Sequence, residues 1–214
     1  METAEVIRTR RSVREYRDEP IDPSLLEELI ELATLSPSSY NMQPWEFLVC
    51  REDATLRRLR GCAYDQPQVT DSAVTVVVLA NLDPAAHARP ILEDSFEKGY
   101  IESEQALERR IERIEGKRDD PLEDRRLWAT KSTSLAAMTL MLAAWDRGIA
   151  SCPMEGFDAD ALCREFGIDP EAYDPVMLIT LGYPAEDAED VVRERKHRRA
   201  VEELCHYESF EPDR

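Results

Sequence analysis

A run of β-branched residues from Ala73 to Ala80 (AVTVVVLA) limits the fold more than any other part of this chain. Such residues favour extended backbone, and a strand that is apolar on both faces must be buried on both faces. Val176 to Leu181 (VMLITL) predicts a second buried strand, and shorter strands are predicted at Glu46 to Arg51 and Ile149 to Met154. The chain therefore needs a sheet that is covered by helices.

Helix signals surround these strands. A short first helix is predicted from Thr3 to Arg11, and Asp22-Pro23 predicts the start of a second helix that Pro37 ends. Asp120-Pro121 predicts another start, with Glu123 placed for a capping box. Asp158 is expected to cap a further helix, which Gly167 closes.

The segment from Leu135 to Trp145 is apolar on nearly all sides, and Gly148 suits its end. A helix of this kind has to be buried, either in the core or against a second subunit. Helices and strands follow one another without a regular βαβ alternation, which predicts an α+β fold. We expect one domain over residues 1–214, with a solvated helical excursion at about 90–120 and a basic C-terminal arm at about 185–214.

The formal net charge is -18, and a surface of this sign repels nucleic acid and anionic membranes. No segment reaches the length of a transmembrane helix, and no apolar signal segment opens the chain. Five cysteines without a C-x-x-C pair favour free thiols in a reducing compartment. These features predict a cytoplasmic protein with no nucleic-acid or membrane partner.

Positive charge is concentrated in two windows near the chain ends. The two windows hold 9 of the 27 basic residues, namely Arg8, Arg10, Arg11 and Arg14 in the first, and Arg193, Arg195, Lys196, Arg198 and Arg199 in the second. A solvated basic surface would explain each window alone. In so acidic a chain, the two together also suggest a site for a phosphate.

Common catalytic motifs are absent. The chain has no G-x-x-x-x-G-K-[ST], G-x-S-x-G or G-x-G-x-x-G sequence. Its three histidines are isolated from one another, and none has a cysteine at zinc spacing, so we expect no metal site.

Four segments instead carry a resemblance that spans nearly the whole chain. They are Arg10 to Arg14 (RRSVR), Ser36 to Trp45 (SPSSYNMQPW), Cys152 to Asp158 (CPMEGFD) and the tail from Arg195 to Glu202, which follows the turn Leu181 to Pro184 (LGYP). In this order and spacing they resemble the nitroreductase family of flavin enzymes. The resemblance implies a mostly antiparallel central sheet flanked by helices, and a homodimer with intertwined arms.

The resemblance also implies a role for each segment. Arg10, Arg11 and Ser12 would contact the phosphate and ribityl chain of FMN, and Arg14 would lie near the pyrimidine edge of the ring. A partner chain would contribute Pro37, Ser38, Ser39 and Asn41. Pro153, Met154, Glu155 and Gly156 would lie against the ring and its N5 edge. Lys196 and Arg198 would bind the phosphate, with Arg193, Arg195 and Arg199 as alternatives one or two residues away in register. Gln66 is a further candidate in a region where some relatives carry Asn and Lys.

The implied function is an FMN-dependent oxidoreductase with NAD(P)H as reductant. A hydride would pass through flavin N5 to a small electron-poor acceptor, such as a nitroaromatic or a quinone, by a ping-pong mechanism. No side chain is assigned as a catalytic acid or base. Two alternatives stay open: a flavin enzyme of the same fold that dehalogenates or degrades flavin, and a non-catalytic flavin-binding or sensing module.

Overall fold

The computed structural model describes residues 1–210; the last four residues of the predicted arm, 211–214, lie outside it. The strands are β1 (Trp45–Cys50), β2 (Val74–Asn81), β3 (Ala150–Met154) and β4 (Tyr173–Gly182). The helices are α1 (Thr3–Thr9), α2 (Pro23–Thr34), α3 (Asp53–Cys62), α4 (Gln68–Asp71), α5 (Ala88–Glu97), α6 (Glu104–Glu115), α7 (Leu122–Asp146), α8 (Ala159–Phe166), α9 (Glu189–Val192) and α10 (Val201–Leu204).

The four strands form one antiparallel sheet in the order β1-β2-β4-β3. All eight residues of β2 are buried, which confirms the prediction of a central strand. Pro175 is accommodated in β4 because the register with β2 shifts between Val78 and Leu79, and such an irregularity tolerates a residue without an N–H. The predicted α+β fold with a central antiparallel sheet is confirmed.

The alternating faces of β2 divide the core into two layers. Val76 and Val78 pack against α2 and α7, where Leu29 and Leu140 are fully buried. Val77 belongs to the opposite layer, which α3 and α8 complete. The sheet is thus covered by helices on both faces, as its apolar strands require.

Several helix boundaries follow the predicted caps. Asp22 accepts a hydrogen bond from Ser24 N at 2.8 Å, and Asp158 accepts one from Ala161 N at 2.9 Å. Gly167 ends α8 with a left-handed φ of 67°, a conformation that costs glycine little. The predicted start of α7 at Asp120 is wrong, because Pro121 occupies the cap position and Glu123 pairs with Arg126.

The excursion is helical, as predicted, but the expectation that it is simply solvated is wrong. Helices α5 and α6 enclose a core of their own, in which Leu92, Ile111 and Ile114 are almost fully buried. Met42, from the segment before β1, packs into this core. The excursion is therefore an amphipathic helix pair that is attached to the body of the protein.

Helix α7 is only partly covered by its own chain. Its inner side chains are buried, whereas Leu135 is 48% exposed and Met138 is 39% exposed. Leu35, at the end of α2, is 75% exposed. It lies beside the same helix, because the hydroxyl of the next residue, Ser36, is hydrogen-bonded to the Thr139 hydroxyl of α7. We call Leu35, Leu135 and Met138 the open face of α7.

Among residues 1–210, none of the helices combines the length and apolar character needed to cross a lipid bilayer. Within the same residues, no group of three or more His, Cys, Asp or Glu is arranged to hold a metal ion. All five cysteines are free thiols, as predicted.

Candidate functional site

The arginine run, Arg10 to Arg14, lies beyond α1 and not inside it. The predicted end of this helix at Arg11 is wrong, since Arg10 is already its C-cap. The chain then turns to the outer edge of β3, where Ser12 bridges Ser151 and Val13 N donates to Ser151 O at 3.0 Å. This bridge covers the edge strand and fixes the arginine run beside the start of β3.

The C-terminal arm closes over the arginine run through three contacts. Arg14 forms an ion pair with Asp190 at 3.1 Å, and Glu15 accepts a hydrogen bond from Glu189 N at 2.9 Å. Arg195 donates to carbonyl oxygens at the end of α1. The two basic windows, which the sequence places near opposite ends of the chain, therefore meet at one place.

Between the run and the arm lies a cavity of about 250 Å³, which seven cationic side chains and two carboxylates line. Arg14 pairs with Asp190, and Arg193 pairs with Glu189. The other five cations form no ion pair with a carboxylate of residues 1–210; they are Arg10, Arg11, Arg195, Lys196 and Arg198. We call these five the cation cluster.

The electrostatics of the cation cluster favour a bound anion. Burial lowers the pKa of Arg10, and the nearby charges of Arg195, Arg198 and Arg11 lower it further. The pKa of Arg195 is lowered by burial and by Arg11 and Arg198. Arginine stays protonated even so, and the repulsion among these charges is relieved most directly by a dianion such as a phosphate.

A larger cavity, of about 580 Å³, lies on the other side of Arg14. Its lining mixes three arginines with five carboxylates, so it does not select for an anion. Arg14 is shared by both cavities, which separates it from the other members of the arginine run. The smaller cavity is therefore the candidate phosphate site.

The segment Pro153 to Gly156 lies at the far end of β3 and is joined there to Gln66. The Gln66 amide donates to Gly156 O at 2.7 Å. A Cβ at Gly156 would lie 3.2 Å from this amide nitrogen, so glycine permits the approach. Gln66 thus lies beside the predicted ring-binding segment, although it was predicted only from its position in a variable region.

Gln68 is a site residue that the sequence analysis missed. It is buried, and its amide donates to Gln66 Oε1 at 3.0 Å and lies 3.7 Å from Met154 Sδ. A second glutamine two residues after Gln66 was the only sequence signal for it. Together, Gln66, Gln68, Met154 and Gly156 form a continuous wall.

This wall also presents unused backbone donors. Among residues 1–210, neither Glu155 N nor Gly156 N has a hydrogen-bond acceptor, and both residues are exposed. Ser151, beside the arginine run, and Met154 are three residues apart on an extended strand, a distance of about 10 Å. Strand β3 therefore separates the cation cluster from this partly apolar wall by about 10 Å.

The predicted segment from Ser36 to Trp45 is not brought to this site. Tyr40, Asn41 and Gln43 all have positive φ, at 55°, 61° and 48°, which is costly for side chains with a Cβ. The segment is held against α7, where Ser39 N donates to the Ser132 hydroxyl. It precedes β1, and β1 and β3 are opposite edges of the sheet, about 14 Å apart across three strand spacings.

The exposure of this loop is consistent with a role outside its own chain. Pro37, Ser39 and Asn41 are exposed, and Ser38 is half-buried because its hydroxyl accepts a hydrogen bond from Gln43 N at 2.9 Å. Trp45 is buried in the core, as expected for a structural residue. In one chain, then, the loop lies beside the open face of α7 and away from the cation cluster.

Comparisons with known proteins found similar sequences over most of the chain. The NADH dehydrogenase of Thermus thermophilus is 35% identical over 179 residues, which make up 83% of this chain and 84% of that protein. A Bacillus subtilis protein with the provisional name NAD(P)H nitroreductase YodC is 34% identical over 187 residues, covering 87% of this chain and 91% of that one.

Solved structures share the fold over nearly the full length. A provisionally named nitroreductase, ydfN, from Bacillus subtilis superposes with a TM-score of 0.87 at 28% identity, covering 96% of this chain and 98% of that one. A provisionally named nitroreductase from Exiguobacterium sibiricum, solved in complex with FMN, gives 0.85 at 27% identity, with 97% of each chain covered.

The family model described as "Nitroreductase family" matches residues 7–183, which include the arginine run, the strained loop and the segment at Gly156. The resemblance predicted from these motifs is confirmed. This chain belongs to the nitroreductase family.

Proposed function

We propose that the protein is an FMN-dependent NAD(P)H oxidoreductase. The observation that carries the proposal is the cation cluster: five cations that pair with no carboxylate of residues 1–210 line one small cavity in a protein whose net charge is -18. Like charges gathered in this way repel one another, and a bound anion relieves the repulsion. The Exiguobacterium relative with bound FMN supports the identity of that anion.

The residues around the cavity fit the phosphate end of FMN. Arg10, Lys196 and Arg198 would bind the phosphate oxygens, since guanidinium and ammonium groups form short, charge-assisted hydrogen bonds to such oxygens. Arg11 belongs to the cluster and Ser12 joins it to β3, so these two residues would contact the phosphate or the ribityl chain. The buried Nε of Arg11 has no partner among the described residues, so it is an available donor.

The wall at the end of β3 fits the ring. Met154 would support its apolar face, and Gln66 would bond to its polar edge. The free N–H of Glu155 or Gly156 would donate to N5. Arg14, which borders both cavities, would lie nearest the pyrimidine edge, where its charge would stabilise a reduced, anionic ring.

A homodimer would complete the site. The open face of α7 exposes three large apolar side chains, and the strained loop with Ser38, Ser39 and Asn41 follows directly from Leu35. A second copy that covers this face would bring the loop of each chain close to the ring-binding wall of the other chain. Burial of the same face would also explain why α7 is apolar on nearly all sides.

Bound FMN would supply the redox chemistry, which is the transfer of a hydride from NAD(P)H to a small electron-poor acceptor such as a nitroaromatic or a quinone. The chain's own residues hold the ring, leave the face beside exposed Glu155 open, and stabilise negative charge. One open face serves the two reactants in turn, which corresponds to a ping-pong order. No side chain is needed as an acid or base in the hydride step.

Initial-rate kinetics test the proposal. Purified protein with FMN should oxidise NADH or NADPH on addition of menadione or nitrofurazone, and double-reciprocal plots should give parallel lines. Intersecting lines would contradict the ping-pong order. A protein that binds FMN but does not oxidise either nucleotide would be a flavin-binding module, and one that binds no FMN would contradict the proposal as a whole.

A further inference from the structure

Arg195 differs from the other basic residues of the C-terminal arm. Arg193 and Arg199 are exposed and pair with Glu189 and Glu203, each four residues away. Arg195 forms no such pair, and it is the one residue between 191 and 200 that is not fully exposed. Its contacts are all with the opposite end of the chain.

One terminal nitrogen of Arg195 lies within hydrogen-bond distance of three backbone oxygens. The distances are 3.3 Å to Ile7 O, 2.5 Å to Arg8 O and 3.0 Å to Arg10 O. These carbonyls are at the carboxyl end of α1, where no further helical turn supplies N–H donors. A cation is favoured at this end because the helix dipole is negative there.

This contact joins the two halves of the cation cluster. Arg10 is the residue at which α1 ends, and Arg195 precedes Lys196. By binding the carbonyl of Arg10, Arg195 fixes the backbone of one phosphate-binding residue against the backbone of another. It does so although its positive charge repels the positive charges of Arg10 and Arg11.

We infer that Arg195 is a positioning residue: it clasps the C-terminal arm to the end of α1 and so holds Arg10 and Lys196 around one phosphate. The inference rests on the proposed FMN function and extends it. The family match ends at residue 183, so it does not include this part of the arm. The role differs from that of a ligand because Arg195 acts through Arg10.

The test compares FMN and riboflavin, which share a ring but differ in the phosphate. Fluorescence titrations of the full-length apoprotein would give both affinities for the wild type, Arg195→Ala and Arg199→Ala. Arg199→Ala removes the same charge from the same arm at a residue that does not line the cavity, so it serves as the matched control. We expect Arg195→Ala to weaken FMN binding about ten- to hundredfold, as for the loss of several charge-assisted contacts, with riboflavin affinity unchanged.

A double-mutant cycle with Arg10→Ala separates positioning from direct contact. If Arg195 acts through Arg10, Arg195→Ala should cost little more once Arg10 is already alanine. Arg195→Lys, which can still donate to one or more of the carbonyls, should recover part of the FMN affinity. Additive effects of the two alanine substitutions would overturn the inference in favour of direct phosphate binding.

Two further outcomes would also overturn it. Equal losses of FMN affinity in Arg195→Ala and Arg199→Ala would show that only the overall charge matters. Equal losses for FMN and riboflavin would show a general effect on folding and not on the phosphate site. In all three cases the wild type still binds FMN, so the proposed function stands. A wild type that binds no FMN would contradict both the proposed function and the inference about Arg195.

Discussion

The cation cluster and the strained loop at Ser38 to Asn41 are both parts of the predicted flavin site, yet they are built in opposite ways. The cluster assembles within one chain, because the arm from residue 189 onward is tied to the arginine run by the pairs Arg14–Asp190 and Glu15–Glu189. The loop stores backbone strain at Tyr40 and Asn41 but touches no member of the cluster. The first region gathers its cations around one cavity within a single chain. The second exposes side chains that lie away from the cation cluster.

This difference indicates which part of the site depends on assembly. Electrostatic attraction to a phosphate needs only one chain, since all five cations already face one cavity. The exposed loop lies at the other edge of the sheet, beside the open face of α7. We therefore expect phosphate binding to depend on single-chain charge, and ring binding to depend also on the dimer.

The largest expected effect comes from the open face of α7. The double variant Leu135→Glu with Met138→Glu would bury two charges in the proposed interface and should raise the dimer dissociation constant by about a thousandfold or more. Sedimentation analysis would detect monomers. Tyr100→Glu, at an exposed apolar residue on the excursion, is the control and should leave the dimer intact. An unchanged sedimentation coefficient in the double variant would contradict the proposal that the open face of α7 forms the dimer interface.

The next effect concerns the cation cluster. Arg10→Ala with Lys196→Ala should weaken FMN binding by about a hundredfold, because two charge-assisted contacts to the phosphate are lost. Isothermal titration would measure this loss, and Arg199→Ala would control for the removal of arm charge. Unchanged affinity in the double variant would mean that the phosphate binds elsewhere.

A smaller effect is expected at the loop. Asn41→Gly removes the side chain while accommodating the φ of 61°, so the free energy of unfolding should stay within about 0.5 kcal/mol of the wild type. FMN affinity should fall about three- to tenfold, as for one neutral hydrogen bond. The dimer should be retained. If the affinity stays the same, Asn41 does not contact the flavin.

The smallest effect compares two buried thiols at opposite edges of the sheet. Burial raises the pKa of Cys50 in β1 to about 11 and also raises that of Cys152 in β3, where Arg14, Arg10 and Lys196 oppose the rise. Arg10→Ala with Lys196→Ala should therefore raise the pKa of Cys152 further, by less than about one pH unit. Carbon-13 NMR of labelled cysteines would follow both groups. Cys50 is the internal control, and a fall in the pKa of Cys152 would contradict the charge assignment.

Raised thiol pKa values also give stability a pH dependence of known sign. A cysteine of the unfolded chain has its ordinary pKa of about 9.0, whereas burial raises the pKa of Cys50 in the folded protein to about 11. Its contribution to stability is therefore complete below pH 9 and is lost as the pH rises through about 11. In the Cys50→Ala variant, the urea-denaturation midpoint should depend less on pH over this range.

Much of the fold was predictable because the local sequence preferences agree with the packing that the folded chain requires. The apolar strand at Val74–Asn81 and the caps at Asp22 and Asp158 follow from side-chain chemistry within a few residues. The end of α1 was not predictable in this way. Arg11 continues a helical pattern, but Val13 N pairs with Ser151 O, a partner that is nearly 140 residues away.

The same limit applies to the site. The arginine run, the loop and the Gly156 segment carry motifs, so their residues could be named from the sequence. Gln68 was not named from the sequence, and Arg195 was named only as one of the basic residues of the arm. Each acts through a neighbour: Gln68 through the Gln66 amide and Arg195 through the carbonyls of α1. Such contacts leave no signature in spacing or composition.

The most direct test of the account is equilibrium binding of FMN and riboflavin to the purified wild-type protein at increasing salt. We predict that FMN binds more tightly than riboflavin and that added salt weakens FMN binding while affecting riboflavin little, since the cation cluster acts on the phosphate. Equal affinity for the two compounds, with the same salt dependence, would contradict the assignment of the cation cluster as the phosphate site.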